Sequence, residues 1–276
     1  MQRIWFITNP KSGSSSTAQA EEIVAGIADR GLTLAGRTDF PGDALPTLDA
    51  LEAAKVDTVV LLAGDGTINA AVRALADWDG AILVLPGGTM NMLAKSLHTE
   101  TDPVAILAAA QERGRRIALP FVAAGEHRAM VGLIVGPAAN WYHARERIRE
   151  GKLADLWPAV RLAWRRTFGK GIRLAGAPGF AREAQAAYVR AHENMLAVAA
   201  INARDFRSLA DLGWNLITGD WVAAHAVTEI QTNRLTIAER RPVLALFDGE
   251  PVTLDPATTV MAGRTGEQFV ATGPAT

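Results

Sequence analysis

Four short stretches hold the residues best suited to do chemistry: Asn9-Pro10-Lys11-Ser12-Gly13, Gly64-Asp65-Gly66-Thr67, Pro86-Gly87-Gly88-Thr89-Met90-Asn91 and Phe247-Asp248-Gly249-Glu250-Pro251. In the first three, glycine removes the Cβ that would keep backbone N–H groups apart, and small polar side chains add donors. A helix starting after such a turn adds partial positive charge, so each turn suits phosphate oxygens. Asp65 sits between two glycines, where its carboxylate can face magnesium, phosphate or a hydroxyl; the alternative is a cap on the following helix, which Thr67 and Asn69 also offer. Asp248-Gly249 is by itself a common hairpin turn. Spacing alone therefore favours a turn there over a general base at Asp248 or a magnesium-linked role at Glu250.

Other catalytic signatures are missing. There is no G-x-x-x-x-G-K-[ST] loop, no G-x-G-x-x-G after the first apolar run, and no G-x-S-x-G elbow. His98, His127, His143, His192 and His225 show no metal spacing, and the chain has no cysteine, so thiolate zinc sites, disulfides and a cysteine nucleophile are excluded.

The elements that must position these stretches are legible in outline. Apolar runs at Ile4 to Thr8, Thr58 to Leu62 and Ala81 to Leu85 each end in one of the three glycine-bearing turns and alternate with helix-like segments. That alternation predicts a parallel sheet, whose carboxyl edge is where ligands bind. Helices are predicted over roughly Thr17 to Arg30, Ala44 to Lys55, Ile68 to Ala76 and Asp102 to Arg113, where apolar residues recur on one face. After about residue 117 the pattern turns β-rich: Arg128 to Val135, Ala186 to Val189, Met195 to Ile201, Ala224 to Ile230, Arg234 to Ile237 and Val243 to Phe247. The reading is an α/β domain over 1–117, a mostly antiparallel domain over 118–262 with a helical insertion at about 144–167, and a frayed tail over 263–276.

With 276 residues, 49% hydrophobic, 21% charged and a formal net charge of −1, the chain can bury a core and offers no global basic field for nucleic acid. No apolar run approaches the roughly 20 residues of a membrane span, and the N-terminus reads as a strand and not a leader. One local exception to the charge balance is Trp141 to Arg173, with nine basic residues against three acidic ones and with Trp141, Trp157 and Trp164 among them. Tryptophan beside arginine suits a surface meeting anionic head groups; a solvated helix face over core tryptophans is the alternative, and Pro158 interrupts any continuous amphipathic face.

In order and separation, the four stretches resemble the diacylglycerol kinase catalytic-domain family, which includes bacterial lipid kinases, sphingosine kinases and ceramide kinases. The resemblance spans about residues 3 to 255. It implies an NAD kinase-like α/β nucleotide domain, a C-terminal β-sandwich supplying the lipid site, ATP bound in a cleft, and Mg2+. By position it implies nucleotide contacts from Asn9, Lys11, Ser12, Gly13, Thr38, Gly64, Gly66, Thr67, Gly88, Thr89 and Asn91, and from an arginine for which Arg145 and Arg149 are candidates. It implies Asp65 and Asp248 jointly as catalytic acid-base groups, with Glu250 supporting catalysis and Asp65 and Glu250 supporting the metal. Ala70 and Met92 depart from the family pattern, standing where Glu and Asp are frequent. The resulting expectation is a cytoplasmic lipid kinase, peripheral to the inner face of the membrane and able to dimerise, that transfers the ATP γ-phosphate to diacylglycerol or a related lipid. Alternatives are a ceramide or sphingoid-base kinase, a soluble-substrate kinase similar to NAD kinase, and a non-catalytic nucleotide or lipid sensor.

Overall fold

The computed structural model describes residues 1–10, 16–88, 91–136, 139, 171–176, 184, 186–201 and 227–274. The chain divides into two compact units, one of Met1–Leu119 with Thr265–Thr276, the other of Pro120–Arg264. The chain begins β1 (Arg3–Thr8), α1 (Thr17–Asp29), β2 (Thr33–Asp39), α2 (Leu48–Ala53), β3 (Thr58–Ala63), α3 (Asp65–Ala74), β4 (Ala81–Pro86), α4 (Met92–Leu97) and α5 (Pro103–Arg113). Then follow β5 (Arg115–Ala124), β6 (His127–Ala129), β7 (Leu133–Val135), β8 (Leu174–Ala175), β9 (Ala186–His192), β10 (Met195–Ile201), β11 (Val227–Thr232), β12 (Arg234–Ile237), β13 (Val243–Phe247), β14 (Glu250–Leu254) and β15 (Thr259–Ala271).

The first unit is the predicted parallel sheet with flanking helices. Its strands run in the order β2-β1-β3-β4, and the end of β15 adds beside β4. β3 is a six-residue apolar run buried throughout, as a strand covered on both faces must be. One face carries Ile4, Phe6, Val60, Leu62, Leu83 and Leu85, packed against Ala20, Ile23 and Ile27 of α1 and Ile106, Leu107 and Ala110 of α5. The alternate residues Val59, Leu61, Ile82 and Val84 are equally buried, and α3 contacts β3 while α4 contacts β4. Local chemistry starts the helices where they are needed. Ser16 accepts from the Gln19 N–H at 3.1 Å and Asp102 from the Ala105 N–H at 2.7 Å, with Pro103 in the first turn of α5.

The second unit is antiparallel. Its larger sheet has the order β11-β10-β9-β7-β13-β14, and β12 lies between β8 and β15. Leu133, Val135, Val189, Val198 and Phe247 from the larger sheet share one core with Leu235, Ile237 and Val260 from β12 and β15, so two sheets close on each other as a sandwich within this unit. The helical insertion expected at about 144–167 lies outside the described residues.

Two expectations are corrected. The stretch after Ala262 does not fray where a tail was expected over 263–276: through Ala271 it completes β15, where Gln268 and Phe269 pair in parallel with Ala81 and Ile82. Phe269 is fully buried, a burial worth roughly 1.5–3 kcal/mol that outweighs the low apolar content around it. The run Arg128 to Val135 is not one strand either: β6 and β7 are separated by Met130-Val131-Gly132, whose N–H groups leave the sheet for the carboxylate of Asp248.

Candidate functional site

Parallel pairing brings the starts of the three turns together. Thr8 lies opposite Leu62 and Ala63 opposite Pro86, so β1, β3 and β4 all end at one edge of the first unit's sheet. The turns are then tied to one another. The Asn9 backbone N–H donates to the Leu62 carbonyl at 3.3 Å, and its side-chain amide donates to the Thr67 hydroxyl at 2.9 Å. A Cβ on Gly87 would stand 2.6 Å from the Ala63 nitrogen, and one on Gly88 would stand 2.5 Å from the Gly64 Cα. Both glycines are therefore required by backbone-to-backbone contact. Asn91 closes the third turn, accepting from the Gly88 N–H at 2.6 Å while holding φ at 52°, a left-handed conformation that asparagine tolerates better than most residues.

Asp65 stands at the start of α3, one residue after the cap. The cap is Gly64, which has no side chain to satisfy the first-turn N–H groups, and Asp65 lies in that first turn, where the helix N-terminus favours negative charge. Asp65 is half-buried, and its Oδ1 accepts from the Met92 N–H at 3.1 Å. The position where Met92 departs from the family pattern thus contributes through its backbone. Gly66 is exposed in the same helical turn and Thr67 is buried.

Thr38 lies near the carboxyl end of β2, opposite Ile7. It is buried, and its hydroxyl accepts from the Trp5 indole N–H at 3.0 Å. Thr8, which sequence reasoning missed, has a buried hydroxyl with no hydrogen-bond partner among the described residues at the very end of β1. A strand-terminal threonine carries no sequence signal that separates it from an ordinary β-former. Lys11, Ser12, Gly13, Thr89, Arg145 and Arg149 lie outside the described residues, as does the basic aromatic segment up to residue 170. Arg173, at its end, pairs with Glu239 at 3.5 Å.

In the second unit, Asp248 and Gly249 form the two-residue turn between β13 and β14, with φ of 49° and 88°. Glu250 is exposed at the start of β14. Asp248 is only 4% exposed, and its carboxylate accepts from the N–H groups of Met130, Val131 and Gly132 at 2.7, 2.8 and 2.9 Å.

Two of the histidines have partners among the described residues. His98 is buried with its ring between the Val84 carbonyl and the Thr272 hydroxyl, each at 2.9 Å, and His127 packs on the Phe247 ring. Among the described residues no three His, Cys, Asp or Glu cluster as a metal cage. Magnesium in phosphate-transfer sites is held by one or two carboxylates together with phosphate oxygens, so the half-buried carboxylate of Asp65 fits that use without a cage, while the partial positive charge of the α3 N-terminus suits the phosphate oxygens.

Residues 3–120 match the diacylglycerol kinase catalytic domain family. The match covers the first unit's four leading strands and all three turns. No curated protein matches the chain. Among solved structures, a diacylglycerol kinase from Bacillus anthracis str. Sterne is similar at 17% identity and a TM-score of 0.67, covering 98% of this chain and 97% of its own. Two further structures of proteins from the same organism cover the same shares at 15% identity, with TM-scores of 0.67 and 0.66. At these identities the structural likeness speaks for the fold of both units, while the kinase-family match rests on the first.

No helix among the described residues is long and apolar enough to cross a membrane.

Proposed function

We propose that this protein is an ATP-dependent lipid kinase that transfers the γ-phosphoryl group to a hydroxyl of diacylglycerol or a related lipid. The observation that carries the reading is Asp65: a half-buried carboxylate at a glycine-capped helix N-terminus, tied to the Met92 N–H and set in one of two turns whose backbones touch. The strand ends of the first unit meet at one sheet edge beside the N-terminus of α3, a placement that suits phosphate oxygens, and Thr67, held by Asn9, adds a fixed hydroxyl. When bound, magnesium supplies charge neutralisation on those oxygens, with Asp65 as the first-unit carboxylate that would hold it and Glu250 added by resemblance.

Phosphoryl transfer asks little covalent help of the protein; it needs positioning and a group to take the alcohol's proton. The bond between the lipid oxygen and the γ-phosphorus forms as the β–γ bridging P–O bond breaks. The hydroxyl proton passes to a carboxylate, for which the resemblance names Asp65 and Asp248 jointly, and ADP leaves. The lipid acceptor requires the enzyme to work at a membrane surface, as a peripheral protein of the cytoplasmic face.

The test is incubation of radiolabelled ATP and magnesium with vesicles of a total lipid extract. Label in a phosphorylated lipid, lost in Asp65→Asn, is the expected result. Transfer to a soluble acceptor without vesicles would replace the reading with an NAD kinase-like one, and ATP binding without transfer to any acceptor would make the protein a sensor.

A further inference from the structure

α4 is too short to hold itself. Its six residues, Met92–Leu97, make less than two helical turns, and isolated helices below about 12 residues are marginal in water. One end bears on the candidate site: the Met92 N–H donates to Asp65 Oδ1 at 3.1 Å, and Asn91, just before it, accepts from the Gly88 N–H. The other end is held by residues that follow β15. The Leu97 carbonyl, which has no donor within the helix, accepts from the N–H groups of Thr272 at 3.0 Å and Gly273 at 2.9 Å. His98, the residue that ends α4, is buried with Nε2 2.9 Å from the Val84 carbonyl of β4 and Nδ1 2.9 Å from the Thr272 hydroxyl. Thr272 is itself buried and lies 3.3 Å from Glu100 Oε2, while Glu100 pairs with Arg113 and Arg115 donates to the Gly273 carbonyl at 2.7 Å. Gly273 approaches so closely that a Cβ there would stand 3.2 Å from the Leu97 carbonyl oxygen. All of these residues belong to the first unit.

We infer that Thr272 and Gly273, together with His98, form a clasp that positions the Asp65 carboxylate through α4. Strand pairing delivers the clasp: β15 runs beside β4 at Gln268 and Phe269, which brings the next residues to the end of the helix that follows β4. An aspartate carboxylate turns about two torsions, and a fixed N–H selects among their settings. For Asp65 that N–H is the first of α4, so its place depends on where the helix sits, and the helix is set at its far end by Leu97 and His98. A helix about 9 Å long moves as one body, so loosening the clasp shifts Met92 as well. His98, Thr272 and Gly273 are thus positioning residues, acting on the direction of the carboxylate. As a statement about turnover this rests on the kinase reading proposed above; as a statement about α4 and the Met92 N–H it does not.

The experiment has two arms on the full chain, in the wild type, Thr272→Val, Thr272→Ser and Gly273→Ala. In the first, amide hydrogen exchange is followed at Met92 and, as a reference for opening of the whole unit, at Val60 in the buried strand β3. Thr272→Val keeps the shape and deletes the hydroxyl, while Gly273→Ala crowds the Leu97 carbonyl. Exchange at Met92 roughly tenfold faster, with Val60 unchanged, is expected in both, and Thr272→Ser, which keeps the hydroxyl, should exchange like the wild type. No acceleration at Met92 overturns the clasp, and equal acceleration at Met92 and Val60 overturns it too, by reducing it to general stability. In the second arm, kcat and the KM for ATP are measured with magnesium and diacylglycerol vesicles, per folded molecule. The expected result is a kcat lowered about tenfold in Thr272→Val and Gly273→Ala, with KM within about twofold of wild type and recovery in Thr272→Ser. Wild-type kcat in a variant whose Met92 exchange has accelerated overturns the link to turnover. If Thr272→Val does not fold, Gly273→Ala carries both arms. A wild type that phosphorylates no acceptor sinks the kinase reading alone, because exchange at Met92 still decides the clasp.

Discussion

Gly88 and Gly64 touch through their backbones: a Cβ added to Gly88 would meet the Gly64 Cα at 2.5 Å, far inside van der Waals contact. Two turns from different strands thus behave as one body, and the glycine at 88 has a reason beyond turn conformation. Gly88→Ala should force the third turn away from the second, at a cost of about 1–3 kcal/mol typical of overpacking. Because Asn91 and Met92 move with that turn, the Met92 N–H would also be drawn from Asp65. The expected outcome is a lower thermal midpoint together with a loss of phosphoryl transfer larger than any loss of folded protein, read by calorimetry and by activity per folded molecule.

Asp65 allows a cleaner separation of fold from chemistry. In Asp65→Asn the side-chain oxygen can still accept from the Met92 N–H, and the lost charge at the N-terminus of α3 is worth only about 0.3–1 kcal/mol. A group taking a proton in the transition state is worth roughly 10²–10⁴-fold. Asp65→Asn should therefore unfold within a few degrees of wild type and lose at least about a hundredfold in kcat, whereas Asp65→Ala should lose stability as well, having no acceptor for Met92. Near-wild-type turnover in Asp65→Asn would remove this carboxylate from the mechanism.

The contrast between these turns and Asp248 shows what sequence can and cannot carry. Alternating apolar runs with glycine at their carboxyl ends state the parallel sheet and its ligand edge directly, because period and turn chemistry are local properties. Asp248-Gly249 reads as a hairpin whichever way the carboxylate points. Only the fold reveals that its acceptors meet the amides of residues more than a hundred positions earlier in the chain, and that these amides break the run from Arg128 to Val135. The last strand was hidden for a related reason: Gly263, Thr265, Gly266 and Gln268 dilute the apolar signal, and what holds its end, at Gln268 and Phe269, is a neighbour, β4, supplied from far away in sequence. Asp65 lay between these cases, visible as an acid between glycines but with its partner Met92 legible only in three dimensions.

His98 gives the first unit a pH dependence. A carbonyl can only accept, so Nε2 carries the hydrogen toward Val84, and in the neutral ring Nδ1 is left as an acceptor facing the Thr272 hydroxyl, whose single hydrogen is also in reach of Glu100 Oε2 at 3.3 Å. Burial holds the imidazole below its ordinary value of 6.5, outweighing the Val84 carbonyl and Glu100, which act in the opposite sense. The folded state thus prefers the neutral ring. Its contribution to stability is complete above the unfolded value, and it declines as pH falls from 6.5 toward the lower folded value, because the unfolded chain binds the proton more readily. A tenfold difference in proton affinity is worth about 1.4 kcal/mol. The thermal midpoint of the wild type should drop on acidification below pH 6.5, and the drop should be smaller in His98→Gln, which cannot take up the proton. An equal drop in both would assign the effect to other groups.

Trp5 and Gly36 form a pair on neighbouring strands that bears on Thr38. A Cβ on Gly36 would stand 2.4 Å from the indole carbon Cε3, so the ring lies flat on bare backbone, and from there its N–H reaches the Thr38 hydroxyl at 3.0 Å. Indole nitrogen is only a donor, which fixes the Thr38 oxygen as acceptor in that bond. Removing either partner should cost about 0.5–1.5 kcal/mol, and the two changes should not add. Trp5→Phe keeps the ring and deletes the N–H; Thr38→Val keeps the shape and deletes the oxygen. In a double-mutant cycle read by chemical denaturation, their coupling is expected to be of the order of that single bond, and Gly36→Ala should lose it as well by displacing the ring. Nucleotide affinity measured on the same variants then separates two roles for Thr38. Weaker ATP binding in Thr38→Val but not in Trp5→Phe assigns the hydroxyl to the ligand, and equal weakening in both assigns it to the seat that Trp5 holds in place.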